Sequence, residues 1–402
     1  MARARGLRRE LCVGVAVAGS RACAAAVVLI ALTLAGCVGG PRGNDPRPPA
    51  AASGILALTT NFQIGSFAVA PLDDPAAMSA DLGQTHGDAV GRVQAGAVYI
   101  LNRYGADNIQ RIDPAAGFAT LWQCSVGNGA NPHDFAQVAP DKAYVTRYEM
   151  ASLAIVDPST SPDCGGFLRG EIDLSVFADA DTVPEMDQMV VVGEHLFVSL
   201  QRLDRRTFEP TETSLLAVID TRTDLIVDVD PAVPGPQAIA LAGRNPFAET
   251  KGLPLDPLTG KILVASAGNF GDLGDGGIEM VNPATFESEG FLVTAAALGG
   301  NINDFVVAGA GRGYAVVTDA HFENALVRFD PSSGAVLARL LEGPDYLPDI
   351  EWVAETGWLL VADQSITRPG MWIFDSEDVA LGGVPARTGT LPPFNIVLLP
   401  EG

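Results

Sequence analysis

The chain carries only four histidines among 48 acidic and 25 basic residues, and two of them, each close to an aspartate, are candidates for chemistry. His133 is followed directly by Asp134, and His321 stands two residues after Asp319. An imidazole next to a carboxylate can move protons near neutral pH or ligate a metal. The same residue types also turn chains and cap strand ends, and neither spacing matches a zinc signature. Three arginines recur in similar settings: Asn102-Arg103-Tyr104, Thr146-Arg147-Tyr148 and Gln201-Arg202-Leu203. Guanidinium forks on a shared rim would hold a carboxylate, a phosphate or an acidic sugar. The alternative is local pairing, with Glu149 and Asp204 close in sequence. His86 and Asp304 join Arg103, Arg147 and Arg202 as ligand-binding candidates. Two oxygen-rich loops are candidate Ca²⁺ sites, one with Asp179 and Asp181, the other with Asp272 and Asp275. Neither keeps the twelve-residue EF-hand pattern. The sequence holds no Gly-x-Ser-x-Gly elbow, no Gly-Lys-Ser phosphate loop and no Cys/His cluster.

What must position these residues is a repeat. A hydrophobic strand ending in Asp-Pro or a variant recurs as Ile112-Asp113-Pro114, Val156-Asp157-Pro158, Ile219-Asp220-Thr221, Val281-Asn282-Pro283, Phe329-Asp330-Pro331 and Phe374-Asp375-Ser376. Val69-Ala70-Pro71 is a degenerate seventh copy. Seven strand-plus-turn units at blade-length intervals predict an all-β fold, a seven-bladed β-propeller. Each unit reads as four strands, A to D from the axis outward, with units two to seven starting near Asp88, His133, Glu185, Gln237, Asn303 and Asp349. The first unit lacks an inner strand, and residues 394–399 form one strand too many at the end. They are expected to pair with 55–59 and close the ring, which hides two sheet edges. D-to-A and B-to-C connections open on one face, and that face collects His86, His133, His321 and most of the candidate aspartates. The longest connections, 202–214, 243–260 and 268–277, are expected to decorate the binding face.

Tyr144-Val145-Thr146, followed by Arg147, resembles the YVTN signature of surface-layer-type β-propellers, with Arg for the final Asn. Residues 218–224, Val-Ile-Asp-Thr-Arg-Thr-Asp, resemble that family's Val-Ile-Asp-Thr-x-Thr-Asn cassette. The resemblance covers most of 54–400. It implies the propeller fold and a bacterial cell-surface setting, with lactonase-like propellers as more distant kin. The fold hosts binding, scaffolding and enzymatic roles alike.

The N-terminus reads as a targeting segment. Arg3, Arg5, Arg8 and Arg9 precede an apolar run over 24–34 that is short for a membrane span. Leu34-Ala35-Gly36-Cys37 resembles a bacterial lipobox, which implies a signal peptide over 1–36, lipidation of Cys37 and a lipoprotein of the cell envelope. Val38 stands where such lipoproteins carry Asp for inner-membrane retention, so outer-membrane sorting is implied. Residues 37–53, rich in Gly and Pro, read as a tether, and 54–402 as the propeller. The formal charge is −23, and losing a leader with five Arg and one Glu leaves −27. Such a surface argues against nucleic acid. Cys12 and Cys23 leave with the leader, so Cys124 and Cys164 remain as a disulfide or as two separate thiols. No cofactor is firmly implied. The expected partners are the membrane, through the lipid, and an envelope protein or a small-molecule or glycan ligand. The expected role is a binding or scaffold module. An envelope hydrolase or lactonase-like enzyme, or a structural surface protein, are the rival readings.

Overall fold

The computed structural model describes residues 52–269 and 272–400. Cys37, the leader and nearly all of the tether lie outside those residues. The rest forms seven antiparallel sheets arranged as a seven-bladed propeller. Blade 1 is built as expected. Its inner strand is Pro393–Pro400, which pairs with Ala52–Thr60 in a register that sets Leu398 opposite Ile55 and Asn395 opposite Leu58. Ala52 and Ser53 already belong to that strand, so the propeller starts two residues earlier than the composition of the tether suggested. The outer strand expected near Met78–Leu82 is irregular: Ser79 exchanges two backbone hydrogen bonds with Val69, and the regular part is Gln84–Thr85.

Blades 2, 3 and 6 have four full strands each. Their middle strands are almost wholly buried because apolar residues project from both sheet faces into the neighbouring blades. Between blades 2 and 3, Tyr99 stacks on Phe135 at 4.3 Å, with Trp122 and Phe167 completing the cluster. A disulfide joins Cys124, on the outer strand Ala119–Ser125 of blade 2, to Cys164 in a loop of blade 3. Tyrosines at the start of second strands tie blades together. Tyr144 donates to Asp224 at 2.5 Å, and Tyr314 donates to Asp378 at 2.6 Å. The turn after Asp330 holds Gly334 at φ 68°, as its Pro-Ser-Ser-Gly sequence requires.

Blade 5 departs from the expected plan. Ile239–Ala240, near the expected start of its inner strand, pairs instead with Leu215–Asp220 of blade 4. The inner position of blade 5 is taken by the segment 244–256, which touches Ile262–Ser266 only at its ends. Phe247 N–H donates to the Ala265 carbonyl, and Leu263 N–H donates to the Pro254 carbonyl. Between those points, residues 248–253 bulge into the axis of the ring. The connection 243–260 is therefore an axial plug as well as an inner strand, not a decoration of one face.

Side chains at the inner strands then clasp blade to blade around this plug. Asp134 of blade 3 accepts Met189 N–H of blade 4 at 2.6 Å, Asp304 of blade 6 accepts Ile350 N–H of blade 7 at 2.8 Å, and Asp349 accepts Ile396 N–H of blade 1. Asn395 accepts Gly91 N–H of blade 2 at 2.7 Å. Blade 2 has Val90 at the clasp position, and Arg92 Nε reaches Asp134 Oδ1 at 2.6 Å instead. Gln188 of blade 4 donates to the Lys251 carbonyl at 3.0 Å. These side chains satisfy backbone N–H groups that no strand partner can reach, which is why so many unit starts carry Asp. Gly252 has no room for a side chain, since a Cβ would lie 2.9 Å from Asp134 Oδ2.

Candidate functional site

The plug separates two openings of the axial channel. The lower one, on the side of the A-to-B turns, is a cavity of about 900 Å³ bounded by the inner strands of blades 1, 2 and 7. Its charges are all engaged. Lys251 Nζ lies 3.2 Å from Asp304, 3.5 Å from Asp349 and 3.3 Å from Glu351. Burial acts against a charged lysine, but the carboxylates of Asp304, Glu351 and Asp349 outweigh it and raise the Lys251 pKa. Burial also raises Asp304 and Glu351, with Lys251 opposing the rise in each. Arg92 donates to Asp134 and to the carbonyls of Gly91 and Thr250.

The upper opening is different. A pocket of about 500 Å³ is lined by Tyr104, Asn131, His133, Tyr148, Glu149, Glu185, Leu203, Arg205 and Phe208. A smaller lobe of about 230 Å³ continues from it past Gln201 to Asn245, Phe247 and Ala267. Loops of blades 2, 3 and 4 supply the larger chamber, and the long connection 202–214 contributes Leu203, Arg205 and Phe208. That connection thus lies on the loop-rich face, as expected from its length.

The interior of this pocket is ordered by hydrogen bonds. His133 Nδ1 lies 2.7 Å from Asp187 Oδ1, and its ring stacks on Tyr148 with 4.3 Å between centroids. Tyr148 Oη donates to Gln201 Oε1 at 2.7 Å, and Gln201 donates onward to the Pro246 carbonyl of the plug at 2.9 Å. Glu149 and Arg205 form an ion pair at the rim. Glu185 is 1% exposed; one carboxylate oxygen accepts Leu203 N–H at 3.1 Å and the other, Oε1, has no partner among the described residues. Burial raises its pKa to about 8; the Leu203 N–H opposes this, Asp181 and Asp179 add to it, and Arg202 opposes it. Asn131 Oδ1 is likewise buried without a partner. Asn131, Glu185 and Phe208 all hold left-handed φ values, 49°, 46° and 58°. Each such residue costs about 1–3 kcal/mol that the surrounding contacts must offset.

Of the residues singled out in the sequence, His133 is in this pocket and most of the others are engaged elsewhere. Asp134 does not pair with His133; its carboxylate is spent on Arg92 and on the clasp to Met189. Asp319 accepts the N–H groups of His321 and Glu323 in an exposed turn, 3.6 Å from the His321 ring, so that pair shapes a loop. His86 Nδ1 accepts Asp88 N–H at 3.2 Å in a local turn. Asp304 belongs to the Lys251 cluster.

Nor do the three arginines converge. Arg103 pairs with Asp88 and lies 3.7 Å from Glu249 of the plug. Arg147 turns outward to Glu171 at 2.9 Å and to the Ser152 carbonyl at 2.8 Å. Arg202 pairs with Glu212 and the Thr213 carbonyl within its own loop. Their recurrence in sequence reflects recurrent local pairing in an acidic chain.

The Ca²⁺ candidates are also used locally. Asp179 accepts Asp181 N–H at 3.1 Å, Asp181 accepts Val183 N–H at 2.9 Å, Asp272 accepts Gly274 N–H at 2.9 Å and Asp275 accepts Asn269 N–H at 3.2 Å. Among the described residues, no group of three or more His, Cys, Asp or Glu side chains is placed to hold a metal ion. The partners that sequence reasoning missed are Asp187, Tyr148 and Glu185 as pocket groups. The signal was available: residues at the start of the inner strands of adjacent blades must be neighbours, which puts His133 beside Asp187.

No family model and no curated protein matches the chain. Solved structures with the same fold do. A putative 6-phosphogluconolactonase from Bacteroides fragilis superposes with TM-score 0.58 at 14% identity, covering 87% of this chain and 99% of that one. A functionally unknown protein from Desulfotomaculum acetoxidans gives 0.54 at 12% identity over 87% and 100%. A quinonprotein alcohol dehydrogenase-like protein from Bacteroides thetaiotaomicron gives 0.54 at 11% identity over 86% and 78%. Likeness at this level of identity is likeness of fold.

Proposed function

We propose that this protein is a lipid-anchored cell-envelope propeller that binds a small ligand in the pocket on its loop-rich face. The observation that carries the reading is a contrast in charge pairing: among the described residues this pocket holds a buried carboxylate oxygen with neither a hydrogen bond nor a cation in contact, whereas Lys251 of the lower cavity, though its Nζ makes no aligned hydrogen bond, lies against three carboxylates. Aromatic walls, a few fixed polar groups and loops from three blades are the ordinary make-up of a binding site. The lipobox-like 34–37 supports an anchor at Cys37 and Val38 supports outer-membrane sorting. The YVTN-like motif and the Val-Ile-Asp-Thr cassette support kinship with surface-layer-type propellers. An envelope protein could occupy the same face.

The full chain, purified in detergent, tests the site. A panel of small amines, acids and sugars should contain a compound that raises its melting temperature. Leu203→Trp, which fills the pocket, should abolish that rise; a rise that persists in the variant places the site elsewhere. For the anchor, Cys37→Ala should move the protein out of the membrane fraction, and unchanged partitioning refutes it.

One observation favours an envelope hydrolase or lactonase-like activity as a second reading. The 2.7 Å contact with Asp187 fixes the His133 ring as a carboxylate fixes a catalytic imidazole, leaving Nε2 as a base for water. Lactone and ester turnover that vanishes in His133→Asn would favour it over simple binding.

A further inference from the structure

The upper pocket has a chemical bias that points to one class of ligand. Its ionisable lining consists of Glu149, Glu185, Arg205, His133, Tyr104 and Tyr148, and the one guanidinium there is already paired with Glu149. The three arginines that would have received an anion are spent on Asp88, Glu171 and Glu212. The unpartnered buried atoms on the lining of the larger chamber, Glu185 Oε1 and Asn131 Oδ1, are acceptors. An amide can be turned to present its nitrogen, and a protonated carboxyl can present its O–H, but once ionised a carboxylate only accepts. The same chamber is lined by the rings of Tyr104, Tyr148 and Phe208, with Phe208 61% exposed. Aromatic faces beside a carboxylate attract a cation and its apolar substituents together. The adjoining lobe, with Leu203, Phe247 and Ala267, is the apolar end.

We propose that this pocket takes a primary organic ammonium carrying an apolar group, its N–H received by Glu185 and its apolar part lodged against Phe208 and Phe247. The proposal rests on the pocket being the binding site. It has a consequence in protons. The groups that face Glu185 are Asp179 and Asp181 from the loop ahead of it, Arg202 from the blade 4 connection and Tyr148 from blade 3. With its pKa pushed up to about 8, Glu185 holds its proton at neutral pH in the empty pocket. A bound cation favours the ionised form, so binding releases a proton and tightens as pH rises towards 8.

Benzylammonium, benzyl alcohol and benzoate differ chiefly in charge, and calorimetric titration of the full chain in detergent with each is the test. Benzylammonium should bind most tightly. Its affinity should climb up to about tenfold per pH unit between pH 6 and 8, and its heat should vary with the ionisation enthalpy of the buffer. Glu185→Gln should weaken it by at least about tenfold and flatten the pH dependence, while the Gln keeps the shape of the wall. Equal or tighter binding of benzyl alcohol or benzoate, lost in Leu203→Trp, keeps the pocket and overturns the cation. Benzylammonium binding that is unchanged in both variants removes the pocket as its site. Absence of binding by all three overturns the proposal.

Discussion

The two openings of the axial channel hold similar side chains in opposite states. Below the plug, Lys251 is ringed by Asp304, Asp349 and Glu351, and Arg92 is locked onto Asp134. Above it, Glu185 and Asn131 keep acceptors free, and His133 is aimed by Asp187. The lower cavity is the larger, yet its cations already sit among carboxylates: Lys251 Nζ makes no aligned hydrogen bond but has three carboxylates around it. Ionisable residues lining a cavity therefore do not mark a site; a buried carboxylate oxygen with neither a hydrogen bond nor a cation in contact is the stronger sign.

That contrast can be broken at several points, the most severe first. A chain ending at Pro393 loses the strand that walls the lower cavity, its pairing with 55–59 and the Asn395 clasp. It should show no cooperative thermal transition; a normal melt would refute the closure of the ring. Lys251→Met should cost about 3–5 kcal/mol in urea denaturation, because three carboxylates lose their counter-charge. The loss should shrink from pH 8 to pH 5 as Asp304 and Glu351, whose pKa values burial raises, take up protons. A variant as stable as the parent would mean that the lower cluster is not structural.

Glu185→Gln should act in the other direction. Its carboxyl titrates at about 4.5 unfolded and about 8 folded, so the folded state holds the extra proton between those values and the parent loses stability as pH rises through that window. The variant escapes this loss. Its melting temperature should match the parent near pH 4 and exceed it above pH 8, by the equivalent of a few kcal/mol. A gain independent of pH would show that Glu185 is not the buried acid described here. The smallest effect is expected for Arg202→Ala, about 1 kcal/mol, since its partner Glu212 is half exposed although the arginine itself is mostly buried; a loss as large as that of Lys251→Met would show that the pair is structural.

The sequence made the ring legible because strand ends and turns repeat, and a repeat is local information. Closure by 394–399 followed from counting strands. Blade 5 was misplaced because Gln237 and Ile239 look like the start of an inner strand, and nothing local reports that 246–253 fills the axis. The same limit hid the site. Asp187 and His133 are 54 residues apart and meet only through the geometry of adjacent blades. The arginines misled for a related reason: similar positions in successive blades share local partners before they share a ligand.

The way the chain enters the ring also has a mechanical consequence. It enters at Ala52, at the end remote from the pocket, and runs straight up Ala52–Thr60 towards it. That strand is flanked on both sides, by Gly65–Pro71 and by Pro393–Pro400. A pull between a hold on the chain ahead of Ala52 and an object seated in the pocket is directed along the strand. Both rows of hydrogen bonds then resist in shear together instead of opening one by one. The same pull through the last strand would meet only one row. Force spectroscopy should therefore find a higher rupture force for a pull applied at Ala52 than for one applied through the last strand.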